Sequence, residues 1–143
     1  MVDKVAVYVQ MLKYGQVVHI FATHAQAWAH KAAMICRAKH IQLLAAWIHP
    51  EELPPDEAVL VAGDVNIDQF GKRSAEFDWM AATLQVETPS TVPEAPHFSF
   101  DPVTNVLASS GMSSGGKVER LEIMLWHPRD IVSPRPAGRQ CCL

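Results

Sequence analysis

The sequence predicts a layered α/β fold, and three observations carry that expectation. Ala58-Val59-Leu60-Val61-Ala62 is an unbroken apolar run of the kind that forms a strand buried on both faces. A long Ala-rich stretch, Gln26 to about Ile48, holds no Gly or Pro and reads as a helix. Two shorter segments before it read as strands, the first alternating Val with other residues and the second dense in Val, Ile and Phe. Helix between strands, with one strand in the sheet interior, argues for layers of helix on sheet. The 143 residues, 49% hydrophobic and 19% charged, suit one domain with an ordinary core.

Taken in order, Val5 to Leu12 is the first expected strand, with Val5, Val7 and Val9 on one face and Ala6 and Tyr8 on the other. Lys13 to Gln16 is a polar link in which Gly15 supplies a positive φ, and Val17 to Thr23 is the returning strand of a hairpin. In the helix, Met34, Ala38, Ile41, Ala45 and Ile48 recur at steps of four and three and predict the inward stripe, which Pro50 terminates. Glu51 to Glu57 reads as a surface loop, followed by the apolar strand and the polar turn Gly63-Asp64-Val65-Asn66. Ser74 to Gln85 predicts a helix capped by Ser74, with Phe77, Met80, Ala81 and Leu84 inward. Thr88 to Pro96 and Ser109 to Gly116 read as loops, and Leu121 to Trp126 as a final strand. The expected domain covers 1–127, with an extended Pro/Arg-containing tail over 128–143.

Composition excludes several functional classes. Twelve Lys and Arg against fifteen Asp and Glu give a net charge of −3, so a strongly basic nucleic-acid module is not expected. No stretch approaches the roughly 18 apolar residues of a membrane span. No secretory signal is legible near Met1, and the compartment is left open. Cys36, Cys141 and Cys142 lack C-x-x-C pairing and the seven histidines lack H-E-x-x-H spacing, which argues against zinc. Phosphate-loop and nucleophile-elbow motifs are also missing.

Two segments carry chemistry. At the end of the buried strand, Asp64 and Asn66 stand two residues apart, so on extended chain both face one side. A carboxylate there offers a ligand to Mg²⁺ or an acceptor to an attacking water, and an amide offers a donor to a phosphate oxygen. The alternative is a plain polar turn after a strand. His24, at the end of His19-Ile20-Phe21-Ala22-Thr23-His24, offers a donor to a phosphate oxygen or an acid–base group. Its alternative is a histidine satisfied near a helix start.

Read in order, these segments resemble the endonuclease/exonuclease/phosphatase superfamily, the deoxyribonuclease-like metal-dependent phosphodiesterases. Phe98-Ser99-Phe100-Asp101-Pro102-Val103-Thr104-Asn105-Val106-Leu107-Ala108 is similar to a stretch of the sphingomyelinase C branch, and Glu119-Arg120-Leu121-Glu122-Ile123 resembles one of its strands. The likeness runs over most of residues 3–126. It implies a layered α/β sandwich of the deoxyribonuclease-like type and hydrolysis of a phosphodiester, for sphingomyelin to ceramide and phosphocholine. It implies His24, Asp64 and Asn66 as catalytic residues, Asp64 as a Mg²⁺ ligand, Asn105 as substrate-binding, and Glu122 as the remnant of an Asp that orients a general-base histidine. It implies a phospholipid substrate and peripheral membrane contact.

The departures shape the expectation equally. The family's metal-binding Glu and its S-D-H histidine have no counterpart in these residues, and its strand Asp is Glu122 here. The sandwich is therefore expected to be incomplete, the metal ligand set short, and the isolated chain inactive. Inner faces left open would favour self-association. A non-catalytic interaction module keeping the scaffold, and a nuclease or phosphatase of the same superfamily, are the alternative readings.

Overall fold

The computed structural model describes residues 4–48, 52–89, 98–105, 107, 109 and 117–127. Four strands and two helices follow in the order β1 (Ala6–Lys13), β2 (Gln16–Thr23), α1 (Lys31–Ile48), β3 (Ala58–Asp64), α2 (Ser74–Leu84) and β4 (Glu122–Trp126). They form one mixed sheet, ordered β1-β2-β3-β4, with two helices packed on it. Pro50, most of the Pro/Thr-rich loop, the Ser/Gly turn and the tail from Pro128 lie outside the described residues.

The hairpin forms as the sequence predicts. Tyr14 and Gly15 both take positive φ, 51° and 78°, as a two-residue turn between twisted antiparallel strands requires. Its register pairs Ala6 with Thr23 and Lys13 with Gln16. β2 then runs parallel to β3, with α1 as the crossover, and β4 closes the sheet antiparallel to β3.

The core lies between one sheet face and the helices. Phe21, Val59, Val61, Ile123 and Leu125 meet Ile41, Leu44 and Ile48 of α1 and Phe77, Met80 and Leu84 of α2. Alternation sends the intervening strand residues to the opposite face, and there the expectation needs correction. β3 is not buried on both faces: Val59 and Val61 are buried, whereas Leu60 and Ala62 are half-buried. β2 and β4 flank it on either side. What is open is the face, where Val7 and Val9 stay about half exposed at 51% and 50% and Met124 at 61%.

Both helices differ from expectation at their starts. α1 begins at Lys31 rather than Gln26, because residues 24–30 are drawn into an irregular loop in which Trp28 takes a φ of 78°. Its inward stripe is Ala33, Arg37, Ile41, Leu44 and Ile48, and Met34 faces outward. An arginine takes the inward position because its guanidinium finds buried acceptors. For α2 the cap position falls on Arg73, with no side-chain cap bond, so Ser74 is the first helical residue. Its inward face of Phe77, Met80 and Leu84 is as expected, and Ala81 packs partly buried against it. No described helix is long and apolar enough to cross a membrane.

Candidate active site

Parallel pairing of β2 and β3 sets their carboxyl ends side by side, the edge where α/β sheets gather ligands. Gly63 makes this close approach feasible. Its φ is 129°, and a Cβ there would collide with the Thr23 carbonyl oxygen. Thr23 is fixed in turn, its hydroxyl donating to the Val5 carbonyl at 3.0 Å and meeting His40 Nε2 at 3.1 Å.

A reciprocal clasp then joins the two chain segments. The Ala25 N–H donates to the Asp64 carbonyl at 2.8 Å, and the Asn66 side-chain amide donates to the Ala25 carbonyl at 3.1 Å. The Asn66 backbone N–H donates to Asp64 Oδ1 at 2.8 Å, and Asn66 adopts a φ of 53°, which Asn tolerates better than most residues. The remaining carboxylate oxygen, Asp64 Oδ2, stands 3.6 Å from His24 Nε2. His24 is largely exposed and Asp64 only partly so, so this pair faces solvent and can meet an incoming group.

Three of the sequence-derived candidates, His24, Asp64 and Asn66, therefore sit at one sheet edge, though in different roles. Asn66 spends its amide on the backbone of the 24–26 loop. Glu122 lies directly opposite Asp64 in the β3–β4 register, and antiparallel partners have Cα atoms about 4.5–5.5 Å apart. Asn105 belongs to another segment. There Asp101 Oδ1 accepts the Val103 and Thr104 N–H groups, Oδ2 accepts the Thr104 hydroxyl, and Asn105 Oδ1 accepts the Leu107 N–H. The Thr104 hydroxyl and the Val103 N–H hold the Asp101 carboxyl below its usual range.

Sequence reasoning missed the support of the His24 loop. Arg37, fully buried, donates Nη1 to the carbonyls of Gln26 and Trp28 at 2.7 and 3.0 Å, and Nε to Glu76 at 2.7 Å. It also missed a chain at the other end of the sheet, in which buried His19 meets the Tyr8 hydroxyl through Nδ1 at 2.7 Å and Glu57 through Nε2 at 2.5 Å. The sequence signal for both is a polar residue in register with an apolar stripe. An open cleft of about 750 Å³ is lined by Asp68, Phe70, Arg73, Phe98, Lys117 and Glu119. Burial, and then the charge of Asp68, push the Glu119 carboxyl above its usual range.

No family model matches the chain. It is 32% identical over 110 residues to sphingomyelinase C 2 of Leptospira interrogans, covering 75% of this chain and 17% of that protein. It is 30% identical over 125 residues to a phospholipase C of Staphylococcus aureus, covering 84% of this chain and 36% of that protein. The chain is a partial homologue of sphingomyelinase C. The fold agrees: it superposes on the beta toxin of Staphylococcus aureus with a TM-score of 0.72 at 25% identity, over 87% of this chain and 43% of that one. For an endonuclease/exonuclease/phosphatase from Beutenbergia cavernae the TM-score is 0.58 at 14% identity, over 87% of this chain and 32% of that one, a likeness of fold alone. This sphingomyelinase C homologue thus spans well under two thirds of each of these relatives.

One beta-toxin structure contains bound magnesium ions. In this chain, the described residues gather no group of three or more His, Cys, Asp or Glu placed to hold a metal ion. Asp64 offers one carboxylate, with one oxygen on the Asn66 N–H and the other toward His24. The described residues do not by themselves fit a complete magnesium site.

Proposed function

We propose that this chain carries the phosphoryl-binding portion of a metal-dependent phosphodiester hydrolase related to sphingomyelin phosphodiesterase. The observation that carries the reading is the His24–Asp64 pair, 3.6 Å apart at adjoining strand ends and open to solvent. Asp64 Oδ2 lies 3.6 Å from one ring nitrogen of His24, so the carboxylate and the imidazole can address one incoming group together. A protonated imidazole is a donor to a phosphoryl oxygen on which charge accumulates in the transition state. The Asp64 carboxylate is equally an acceptor for the proton of an attacking water. Asn66 acts through the backbone, holding Ala25 and with it the His24 ring.

The substrate class under this reading is a choline-phosphate diester, sphingomyelin foremost, met at a lipid surface. Mg²⁺ belongs to the reading only as a group whose ligands are incomplete among the described residues, with Asp64 its one candidate ligand, and no step is derived through it. The isolated chain is accordingly expected to be catalytically silent.

The test is hydrolysis of choline-phosphate diesters and of plasmid DNA, with and without Mg²⁺, by the chain and by His24→Ala and Asp64→Ala. Silence of the chain alone, together with binding of phosphocholine that both variants lose, is the expected result. Phosphocholine binding unaffected by either variant would remove these residues from the site. Cleavage of DNA would move the chain to a nuclease, and no ligand binding at all would favour a non-catalytic module.

A further inference from the structure

A hydrogen-bonded chain of three side chains lies on the helix side of the sheet, away from the edge that carries His24 and Asp64. His19 is 2% exposed and sits mid-strand in β2, on the same face as Phe21. Its Nδ1 meets the Tyr8 hydroxyl at 2.7 Å, and its Nε2 meets Glu57 Oε2 at 2.5 Å. Glu57 directly precedes β3, where Val59 is the register partner of His19. A carboxylate only accepts, so Nε2 carries the proton, Nδ1 is the acceptor, and the Tyr8 hydroxyl donates to it. The Tyr8 ring packs on Phe21 and Trp47, with centroids 4.9 and 6.3 Å away, which holds the hydroxyl on that nitrogen. Tyr8 itself is 39% exposed, so a reagent can meet it. His24 lies five residues further along the chain, about 16 Å at strand rise, so the two groups of side chains are separate.

A hydroxyl bonded to an imidazole, itself bonded to a carboxylate, is the arrangement that activates a weak nucleophile. We propose that Tyr8 is a second reactive centre, a phenol that accepts an acyl group from an activated ester, with His19 as its general base and Glu57 as a positioning residue. Tyr8 Oη attacks the ester carbonyl carbon while its proton passes to His19 Nδ1. The tetrahedral adduct then collapses. The bond to the leaving oxygen breaks, that oxygen keeps the electron pair, and it takes the proton from the imidazolium. An O-acyl tyrosine and a free alcohol result, with nothing oxidised or reduced. Glu57 keeps the ring in the accepting tautomer and stabilises the imidazolium that forms in between. An uncharged acyl group suits this place better than a phosphoryl group. The Glu57 carboxylate opposes an incoming anion, whereas the Phe21 and Trp47 rings offer apolar surface. This centre is independent of whether His24 and Asp64 bind a phosphoryl group.

The chain has two tyrosines, and the second is an internal control. Tyr14, in the hairpin turn, is 94% exposed and is the one that access alone would favour. The full chain is treated with p-nitrophenyl acetate near neutral pH, and acetylation of each tyrosine is followed by peptide mass spectrometry. Tyr8 is expected to react at least about tenfold faster than Tyr14, within the roughly 10²–10⁴-fold that a placed base supplies. Glu57→Gln and His19→Gln are each expected to slow Tyr8 by at least about tenfold and to leave Tyr14 unchanged. Glu57→Gln keeps the shape and an accepting carbonyl, so it remains readable if His19→Gln does not fold, which circular dichroism reports. A purely structural role for the three side chains would change melting and leave the ratio of the two tyrosine rates as it was. Faster acetylation of Tyr14, or a Tyr8 rate indifferent to Glu57→Gln, would overturn the proposal.

Discussion

The Arg37 guanidinium lies 2.6 Å from the Glu76 carboxylate, so an ion pair with a fully buried arginine ties α1 to α2 beneath the loop that carries His24. Arg37 also holds two carbonyls of that loop, and through Trp28 it over-determines a residue with positive φ, a conformation that costs about 1–3 kcal/mol for a non-glycine. Removing one partner leaves the other charge uncompensated, which costs about 3–5 kcal/mol, whereas replacing both by apolar groups of similar volume is close to neutral. Arg37→Ala is therefore expected to lower the urea midpoint severely, and Arg37→Met with Glu76→Leu to recover the part due to the unpaired Glu76, the Gln26 and Trp28 carbonyls still lacking their donor. Equal destabilisation by the single and double variants would refute the coupling.

Gly63 is the second vulnerable point. A methyl group there meets the Thr23 carbonyl, at a φ that L residues rarely adopt. Steric collision with backbone cannot relax by side-chain motion, so β2 and β3 must separate at the edge where His24 and Asp64 adjoin. Gly63→Ala is expected to cost on the order of 3 kcal/mol, read from thermal melts, against less than about 1 kcal/mol for Gly15→Ala, where the added carbon meets open space and only the φ penalty applies.

The contrast between α1 and β3 explains what the sequence could convey. Apolar periodicity marks a stripe, and it located α2 and the hairpin well, because Phe77, Met80 and Leu84 are both apolar and inward. In α1 the inward stripe includes Arg37, whose burial depends on Glu76, 39 residues away, and on carbonyls of an irregular loop. No local pattern announces such a partnership. The same limit applies to β3: an apolar run specifies that both faces suit burial, and the long-range pairing decides which one is covered. The Gly-Asp-x-Asn turn and the Thr-His ending of β2 were legible as polar residues closing apolar strands, and parallel pairing set them side by side. Asn66 holding Ala25 was not legible, since a side chain that serves backbone looks the same in sequence as one that serves a ligand.

His40 gives the fold an acid-sensitive element. Burial, and then the charge of Lys4, hold its imidazole below the ordinary value of 6.5. As pH falls through 6.5 the unfolded chain takes up a proton that the folded chain still refuses, so stability is lost between 6.5 and the folded value and is fully present above 6.5. Glu119 acts with the opposite sign: its raised carboxyl makes stability fall as pH rises from 4.5 through the folded value. Comparing the chain with His40→Gln isolates the first effect. The difference in urea midpoint between the two is expected to grow in favour of the variant as pH drops from about 7 to about 5.5, and a difference independent of pH would refute the assignment.

Asn66 separates a positioning role from direct ligand contact. Its amide reaches the Ala25 carbonyl, and its φ of 53° favours Asn or Gly. Asn66→Gly keeps the backbone conformation and loses one hydrogen bond, an expected cost of about 1 kcal/mol, and Asn66→Ala adds the penalty of a left-handed alanine. Because the Ala25 N–H is bonded to the Asp64 carbonyl, loosening the loop should speed exchange of that proton by about tenfold in Asn66→Gly, with amides of α2 unaffected. If phosphocholine binding falls in step with that exchange rate, Asn66 acts by holding His24 in place. Lost binding with unchanged Ala25 protection would instead make the amide itself the ligand's donor.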